Sequence, residues 1–420
     1  MRYRLAVVVV ALGALVSPHV AAADVVTDWN RTMVSALLAT HTAPQPGTRI
    51  GAIVQSSVFD AVNGIAQRYT QLHPEVLGDA GAPRGASKQA AAAGAAYTAL
   101  VALLPSQRAA FDARLASTLA ALSDGDGTGP AVTRGLMWGQ TVANAILAWR
   151  SGDGVNAVLP PYVVGPLPSW QPTPPAFAPP LFRQFATMTP WSMSSPDAFL
   201  PGPPPPITSA EYTQDYNEVK AIGSSTTTPD LAETARFWNG QFDTVATMWN
   251  RAANSLAVNR DVPIVDTARF FALLDASMGD AVIAVWNAKN TYNTWRPITA
   301  IRVADDGNPA TLQDASWTPL LTTPAHQEYP SGHSGVSSAA VTVLAAFFGN
   351  QTTFTMTSDA IGGGGSSTYS SFSDAIEEVA LARIAGGIHF RFACDAAAQM
   401  GKGIADETLL TQMLRLHATR

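Results

Sequence analysis

The sequence predicts an all-α protein with its reactive side chains gathered in the C-terminal half. Three observations carry that expectation. Apolar residues recur at helical spacing over long stretches, whereas strand-like alternation is scarce. Glycine and proline fall mostly between those stretches rather than inside them. The 420 residues are 47% apolar and only 13% charged, enough to build a large core and too poor in charge for a disordered chain.

The elements follow in order. Residues 1–23 read as a secretory signal peptide: Arg2 and Arg4, an apolar run over 5–16 too short to span a bilayer, then Ala21, Ala22 and Ala23 before Asp24. A secreted or periplasmic location follows. Residues 24–152 read as a helical scaffold. Ala52, Ile53, Val54, Ser57, Val58 and Ala61 form a stripe that ends near Asn63 and Gly64. Helices are expected over 87–104 and 109–122, the second opened by Pro105 and Ser106 and ended by a glycine-rich turn over 124–129. Residues 153–208 are crowded with prolines, but Trp170, Phe177, Phe182, Phe185 and Trp191 are interleaved, which predicts a long ordered loop packed on the helices.

Residues 209–420 form the C-terminal helical catalytic region. Long helices are expected over 232–254 and 266–294, then 334–348, 371–389 and 396–417, with a flexible turn at 362–365. No internal repeat stands out, and no second apolar run is long enough to cross a membrane. The net charge of −6 points away from a nucleic-acid partner, so any anion site must be local. The single cysteine, Cys394, excludes an internal disulfide and paired-cysteine zinc sites, and reads as a small buried apolar residue.

Three short motifs carry chemistry. In the first, Lys289 and Arg296 stand seven apart, near two helical turns, which predicts one shared face at the end of an apolar segment. Buried cations need an anion. In the second, Ser331, Gly332 and His333 precede a helix, whose first amides and positive end suit an oxyanion. In the third, Arg383 and His389 flank Gly386 and Gly387, and a break at the glycines would bring both side chains to one pocket. Arginine forks and histidines in this number suit phosphate or an isoelectronic oxyanion such as vanadate.

The three motifs, in this order, resemble those of the vanadium-dependent haloperoxidases and the type 2 phosphatidic acid phosphatase superfamily. The segment Val58–Phe59–Asp60–Ala61–Val62–Asn63 is similar to soluble bacterial haloperoxidase-like proteins. The resemblance implies a helical bundle of the vanadium chloroperoxidase and acid phosphatase type. It implies that Lys289, Arg296, Ser331, Gly332 and Arg383 hold the oxygens of the anion. It makes His389 the ligand of vanadium, or the nucleophile of a phosphatase, and His333 the acid–base group. It puts Trp286 in the pocket wall. His326 falls where fungal chloroperoxidases carry phenylalanine and algal bromoperoxidases histidine, which implies a pocket role and a preference for bromide or iodide. Two positions depart from the pattern. Ala382 replaces a usual serine, and the acid often found four residues after the metal-binding histidine is absent, with Asp395 six after.

Two enzymes fit these residues. In a haloperoxidase, vanadate is the cofactor, hydrogen peroxide and halide the substrates, and Lys289 polarises the bound peroxide. In a secreted acid phosphatase, His389 attacks a phosphate monoester, His333 protonates the leaving oxygen, and no cofactor is needed. A non-catalytic oxyanion-binding helical protein is the third reading, for which two histidines flanking the basic cluster have little use.

Overall fold

The computed structural model describes residues 24–72, 74–77, 81–125, 129–259, 262–360 and 365–416. The signal segment, His19, His73 and His417 lie outside them. The helices are α1 (Val25–Ala39), α2 (Pro44–Ala66), α3 (Pro74–Leu77), α4 (Lys88–Leu103), α5 (Arg108–Gly125), α6 (Gly129–Arg150), α7 (Ala210–Ile222), α8 (Pro229–Phe237), α9 (Val245–Asn259), α10 (Ile264–Tyr292), α11 (Pro297–Arg302), α12 (Gly332–Phe348), α13 (Phe372–Ala385) and α14 (Arg391–Thr411). The expected all-α bundle is present. One hairpin adds to it, β1 (Phe354–Ser358) and β2 (Gly365–Tyr369), antiparallel with Phe354 opposite Tyr369 and Ser358 opposite Gly365. Phe354, Met356 and Ser358 alternate inward, the period of a half-buried strand.

α10 is the axis of the bundle. Nearly every residue from Val265 to Lys289 is buried, so it reads as apolar all round rather than as an amphipathic surface helix. α2, α12 and α14 pack around it, and one apolar cluster runs from Val26 in α1 through all of these to Met413. Close crossings depend on missing side chains. A Cβ on Gly401 of α14 would lie 2.1 Å from the carbonyl oxygen of Gly335 in α12, and one on Gly139 of α6 would lie 2.1 Å from that of Ala91 in α4. No single described helix is long and apolar enough to cross a membrane.

The proline-rich segment is ordered, and its attachment is polar. Asp280, buried in α10, accepts hydrogen bonds from the amides of Trp191 (2.7 Å), Ser192 (2.8 Å) and Met193 (3.1 Å) and from the Ser192 hydroxyl (2.7 Å). Nearer the C-terminal end of α10, Asn287 donates to Ala186 O and Asn290 to Arg183 O. The segment thereby wraps that end of the helix, where the cationic motif begins.

Two expectations on helices are corrected. The stretch 232–254 is two helices, α8 and α9, because the chain breaks at Asn239 and Gly240 and the amides of Gln241, Phe242 and Asp243 turn to the Asp359 carboxylate (2.8, 2.9 and 3.2 Å). The helix expected to reach His389 stops at Ala385. There Gly387 adopts φ +74°, Gly387 N donates to Ile384 O and Ile388 N to Arg383 O. This pair of bonds closes a Schellman motif, with glycine at its left-handed position.

Candidate functional site

Three cationic side chains meet at the C-terminal end of α10, and the backbone that places them is irregular. α10 ends at Tyr292, with Asn293 left-handed at φ 48°, so Lys289 and Arg296 do not share a helix face. They converge because the chain turns back between them and Arg296 sits at the N-cap of α11. Lys289 Nζ donates to the carbonyls of Gln327 (2.7 Å) and Glu328 (2.9 Å). Arg296 donates to His326 O (2.8 Å) and Ile388 O (2.7 Å), and to His389 Nε2 (3.1 Å) and His326 Nδ1 (3.0 Å). Arg383, on the last turn of α13, reaches Ala235 O at 3.3 Å with one nitrogen, while its buried Nε has no partner. Lys289 and Arg296 are 0% exposed and Arg383 1%.

Burial dominates the electrostatics. It pushes the Lys289 ammonium well below its usual range, aided by Arg296. The guanidiniums of Arg296 and Arg383 both fall to about 10 through burial. None of the three makes an ion pair among the described residues. The acid beside them is Glu328, also fully buried, whose carboxyl is raised to about 7 by burial against the lowering pull of Arg296 and Lys289.

The Schellman turn swings His389 back from α13 into this cluster. Glu328 Oε1 accepts from His389 Nδ1 (2.9 Å) and from Phe390 N (3.0 Å). The bond fixes the tautomer: Nδ1 carries the hydrogen, and the Nε2 lone pair faces the Arg296 guanidinium. Burial, then Arg296 and Lys289, hold the His389 pKa well below normal, so the ring is neutral and its lone pair intact. His326 Nδ1 lies 3.0 Å from Arg296 Nη2 and 3.2 Å from Gln327 O, a donor and an acceptor, so either ring tautomer finds a partner there.

Ser331 is the N-cap of α12. Its amide is taken by Ala393 O (2.9 Å), and its hydroxyl accepts from Ser334 N (3.4 Å) and the Ser334 hydroxyl (3.1 Å). What Ser331 offers an anion is therefore its hydroxyl rather than its amide, with Gly332 and His333 opening the helix behind it. Burial and the Arg383 charge keep the His333 pKa well below normal.

Trp286, His326, Gly332, His333, Arg383 and His389 line one cavity of about 360 Å³. Trp286 packs on the His326 ring, with centroids 5.1 Å apart. Lys289, Arg296 and Ser331 are buried and stand outside the lining, Arg296 joined to it through its contacts with His326 and His389. Asp395 is not part of the site: it is exposed on α14, and the acid beside His389 Nδ1 is Glu328. Sequence analysis did not single out Glu328. Cys394 is buried, and burial raises its thiol to about 12, in keeping with a packing role. Ala382 is fully buried in the core, where no hydroxyl is required.

This basic, carboxylate-poor donor set suits an oxyanion. Among the described residues, no three His, Cys, Asp or Glu side chains gather where a bare cation could bind.

Comparisons with known proteins bear on the fold and on the C-terminal domain. Residues 269–416 match the family model of the second helical-bundle domain of vanadium chloroperoxidase. The chain is 26% identical over 199 residues to the vanadium chloroperoxidase of Curvularia inaequalis, a match covering 40% of this chain and 31% of that protein. The fold superposes on a bacterial vanadium-dependent iodoperoxidase with TM-score 0.80, at 24% identity, over 94% of this chain and 98% of the other. A bacterial vanadium-dependent chloroperoxidase follows at TM-score 0.67 and 18% identity, over 93% of each chain. Residues 269–416 thus share a domain family with vanadium chloroperoxidase, and the likeness to the two bacterial structures is one of fold.

Proposed function

We propose that this protein is a vanadate-dependent haloperoxidase that oxidises halide with hydrogen peroxide to hypohalous acid. The observation that carries the reading is charge: three buried cations gather with a single buried carboxylate, which Arg296 and Lys289 face and Arg383 does not, leaving an excess of about two positive charges that a bound oxyanion would neutralise. The named relative, a vanadium chloroperoxidase, supports vanadate as that anion.

Bound vanadate would supply a Lewis acid that makes peroxide electrophilic toward halide. The protein's own groups do the rest. Lys289, Arg296 and Arg383 hold the anion's oxygens, and the Ser331 hydroxyl and the Gly332 amide complete the cradle. His389, held in the Nδ1–H tautomer by Glu328, would offer Nε2 to the central atom once that lone pair is released from Arg296. His333, neutral and on the cavity wall, takes and returns the peroxide proton. His326 keeps the halide approach polar, which favours bromide or iodide over chloride. The N-terminal segment supports export to the periplasm or beyond.

The same side chains could serve a phosphomonoesterase, so the test has two arms on the purified protein. One is bromination of a phenolic dye with bromide, peroxide and added vanadate. The other is hydrolysis of an aryl phosphate without vanadate. Vanadate-dependent bromination that His389→Ala abolishes is the expected result. Vanadate-inhibited hydrolysis with no bromination would replace the reading with a histidine phosphatase.

A further inference from the structure

The cavity over the oxyanion cradle is larger than its inorganic reactants need. At about 360 Å³ it falls within the range of small-organic-molecule pockets, roughly 300–1,000 Å³. Its walls between cradle and mouth are apolar and partly aromatic: Leu181, Phe182, Val282, Trp286, Val336 and Ile388.

The mouth is built from two rings brought together from distant segments. His41 and Phe242 both line the cavity and stack with centroids 3.8 Å apart and planes within 9°. Each is held in place at a cost. His41 has φ 50° and occupies the left-handed position of a Schellman motif ending α1, where His41 N donates to Leu38 O and Thr42 N to Leu37 O. Glycine ordinarily fills that position, so a histidine there calls for a reason beyond chain reversal. Phe242 is 38% exposed, and its loop is pinned by the three amides that donate to Asp359. A fixed loop that presents an aromatic ring to solvent has the form of a recognition surface.

A third feature is polar. Gln45 lines the same cavity, is 7% exposed, and its Oε1 has no hydrogen-bond partner. A buried acceptor left empty is costly, and a donor arriving from the cavity would satisfy it.

From these three features we infer that the cavity binds an arene bearing an O–H or N–H donor, such as a phenol, naphthol or indole. Its ring packs at the His41–Phe242 lip and its donor bonds Gln45 Oε1. The binding stands on the cavity itself; its chemical consequence rests on the haloperoxidase reading. Electron-rich rings are what electrophilic halogen attacks. A ring carbon takes the halogen of hypohalous acid, the displaced ring proton joins the departing hydroxide, and water leaves.

Two measurements test this separately. The first is calorimetric titration of the protein, without vanadate, peroxide or halide, with 2-naphthol, 2-methoxynaphthalene and 1-octanol. The expected order is 2-naphthol tightest, with Phe242→Ala weakening it about tenfold and Gln45→Leu erasing the preference for hydroxyl over methoxy. Equal binding of octanol, or no effect of either substitution, would overturn the inference in favour of a general apolar funnel. The second is bromination of an equimolar mixture of 2-naphthol and an aliphatic enol. A product ratio shifted toward the naphthol relative to reagent hypobromous acid, and restored to the reagent ratio in Phe242→Ala, is expected. Products at the reagent ratio in wild type would overturn halogenation in the bound state. No bromination at all, with 2-naphthol still bound, would sink the haloperoxidase reading and leave the arene site standing.

Discussion

Replacing Arg383 by methionine should make the ligand-free protein more stable and the ligand-bound protein less so. The side chain is 1% exposed, faces no carboxylate partner among the described residues, and makes a single long bond, at 3.3 Å, to Ala235 O. Burial has lowered its guanidinium from 12.5 to about 10, so carrying the charge in the folded state costs about 3 kcal/mol. For a base with a depressed pKa, that cost is fully present below pH 10 and relieved as pH rises through it. Methionine fills similar volume without the charge and forfeits about 1 kcal/mol for the weak hydrogen bond. The net gain is about 2 kcal/mol, which for a chain of this length raises Tm by about 2 °C. Binding moves the other way. Losing a charge-assisted contact to an oxyanion costs about 1.5–3 kcal/mol, or roughly 10–150-fold in Kd. Thermal unfolding with and without orthovanadate reads both effects in one experiment: the baseline Tm rises and the vanadate-induced increment shrinks. A variant less stable than wild type without ligand, yet equally stabilised by vanadate, would show that Arg383 is a structural residue and that the charge argument is wrong.

Three further outcomes follow from other contacts. Glu328→Gln retains an acceptor for His389 Nδ1 but removes the charge. Steady-state bromination should fall about 10–100-fold without weaker phosphate binding, because the pocket becomes more positive; unchanged turnover would remove the orienting role. Asp60 is fully buried, and burial raises its carboxyl to about 7, so the folded state holds a proton that the unfolded chain has released above about 3.8. Its stabilising effect is therefore present at low pH and lost as pH rises through 7. Asp60→Asn should gain up to about 4 kcal/mol relative to wild type between pH 4 and pH 8 in urea unfolding, and a pH-independent difference would refute the assignment. Gly401→Ala places a methyl 2.1 Å from Gly335 O; despite alanine's better helix propensity it should lower stability by about 1–3 kcal/mol, measured by urea midpoint.

Much of the fold was legible because helical periodicity is local. The stripe through Ala52, Val54 and Val58, the helix expected over 87–104 and the long apolar run of α10 all announce themselves within a few residues. What escaped depends on distant partners. Nothing near Asn239 in sequence reveals that Asp359, over a hundred residues away, accepts three amides and splits one expected helix into two. The Val58–Asn63 motif is a related case. Its polar members turn out to organise the chain that follows: Asp60 accepts from Leu72 N at 3.3 Å, and Asn63 accepts from Arg68 N and Tyr69 N while donating to Tyr69 O.

The site was legible as a set of residue types and not as geometry. Lys289 and Arg296 were placed on one helix face by their spacing, yet they meet because the helix ends between them. The helix expected over 371–389 ends at the glycines, the break that would bring Arg383 and His389 together, since Gly386 and Gly387 are costly in a helix interior and Gly387 carries the positive φ that turns the chain. Glu328 was invisible for a different reason. A lone acid in a loop has no periodic signature, and its importance is a matter of burial: in water it would be one of many carboxylates, whereas among three desolvated cations it is the group that sets the tautomer of His389. A sequence reader can recover such a residue only by asking which acid stands near enough to a cluster of buried cations to orient its histidine. The answer here lies five residues before His333, on the strand of chain whose carbonyls also hold Lys289.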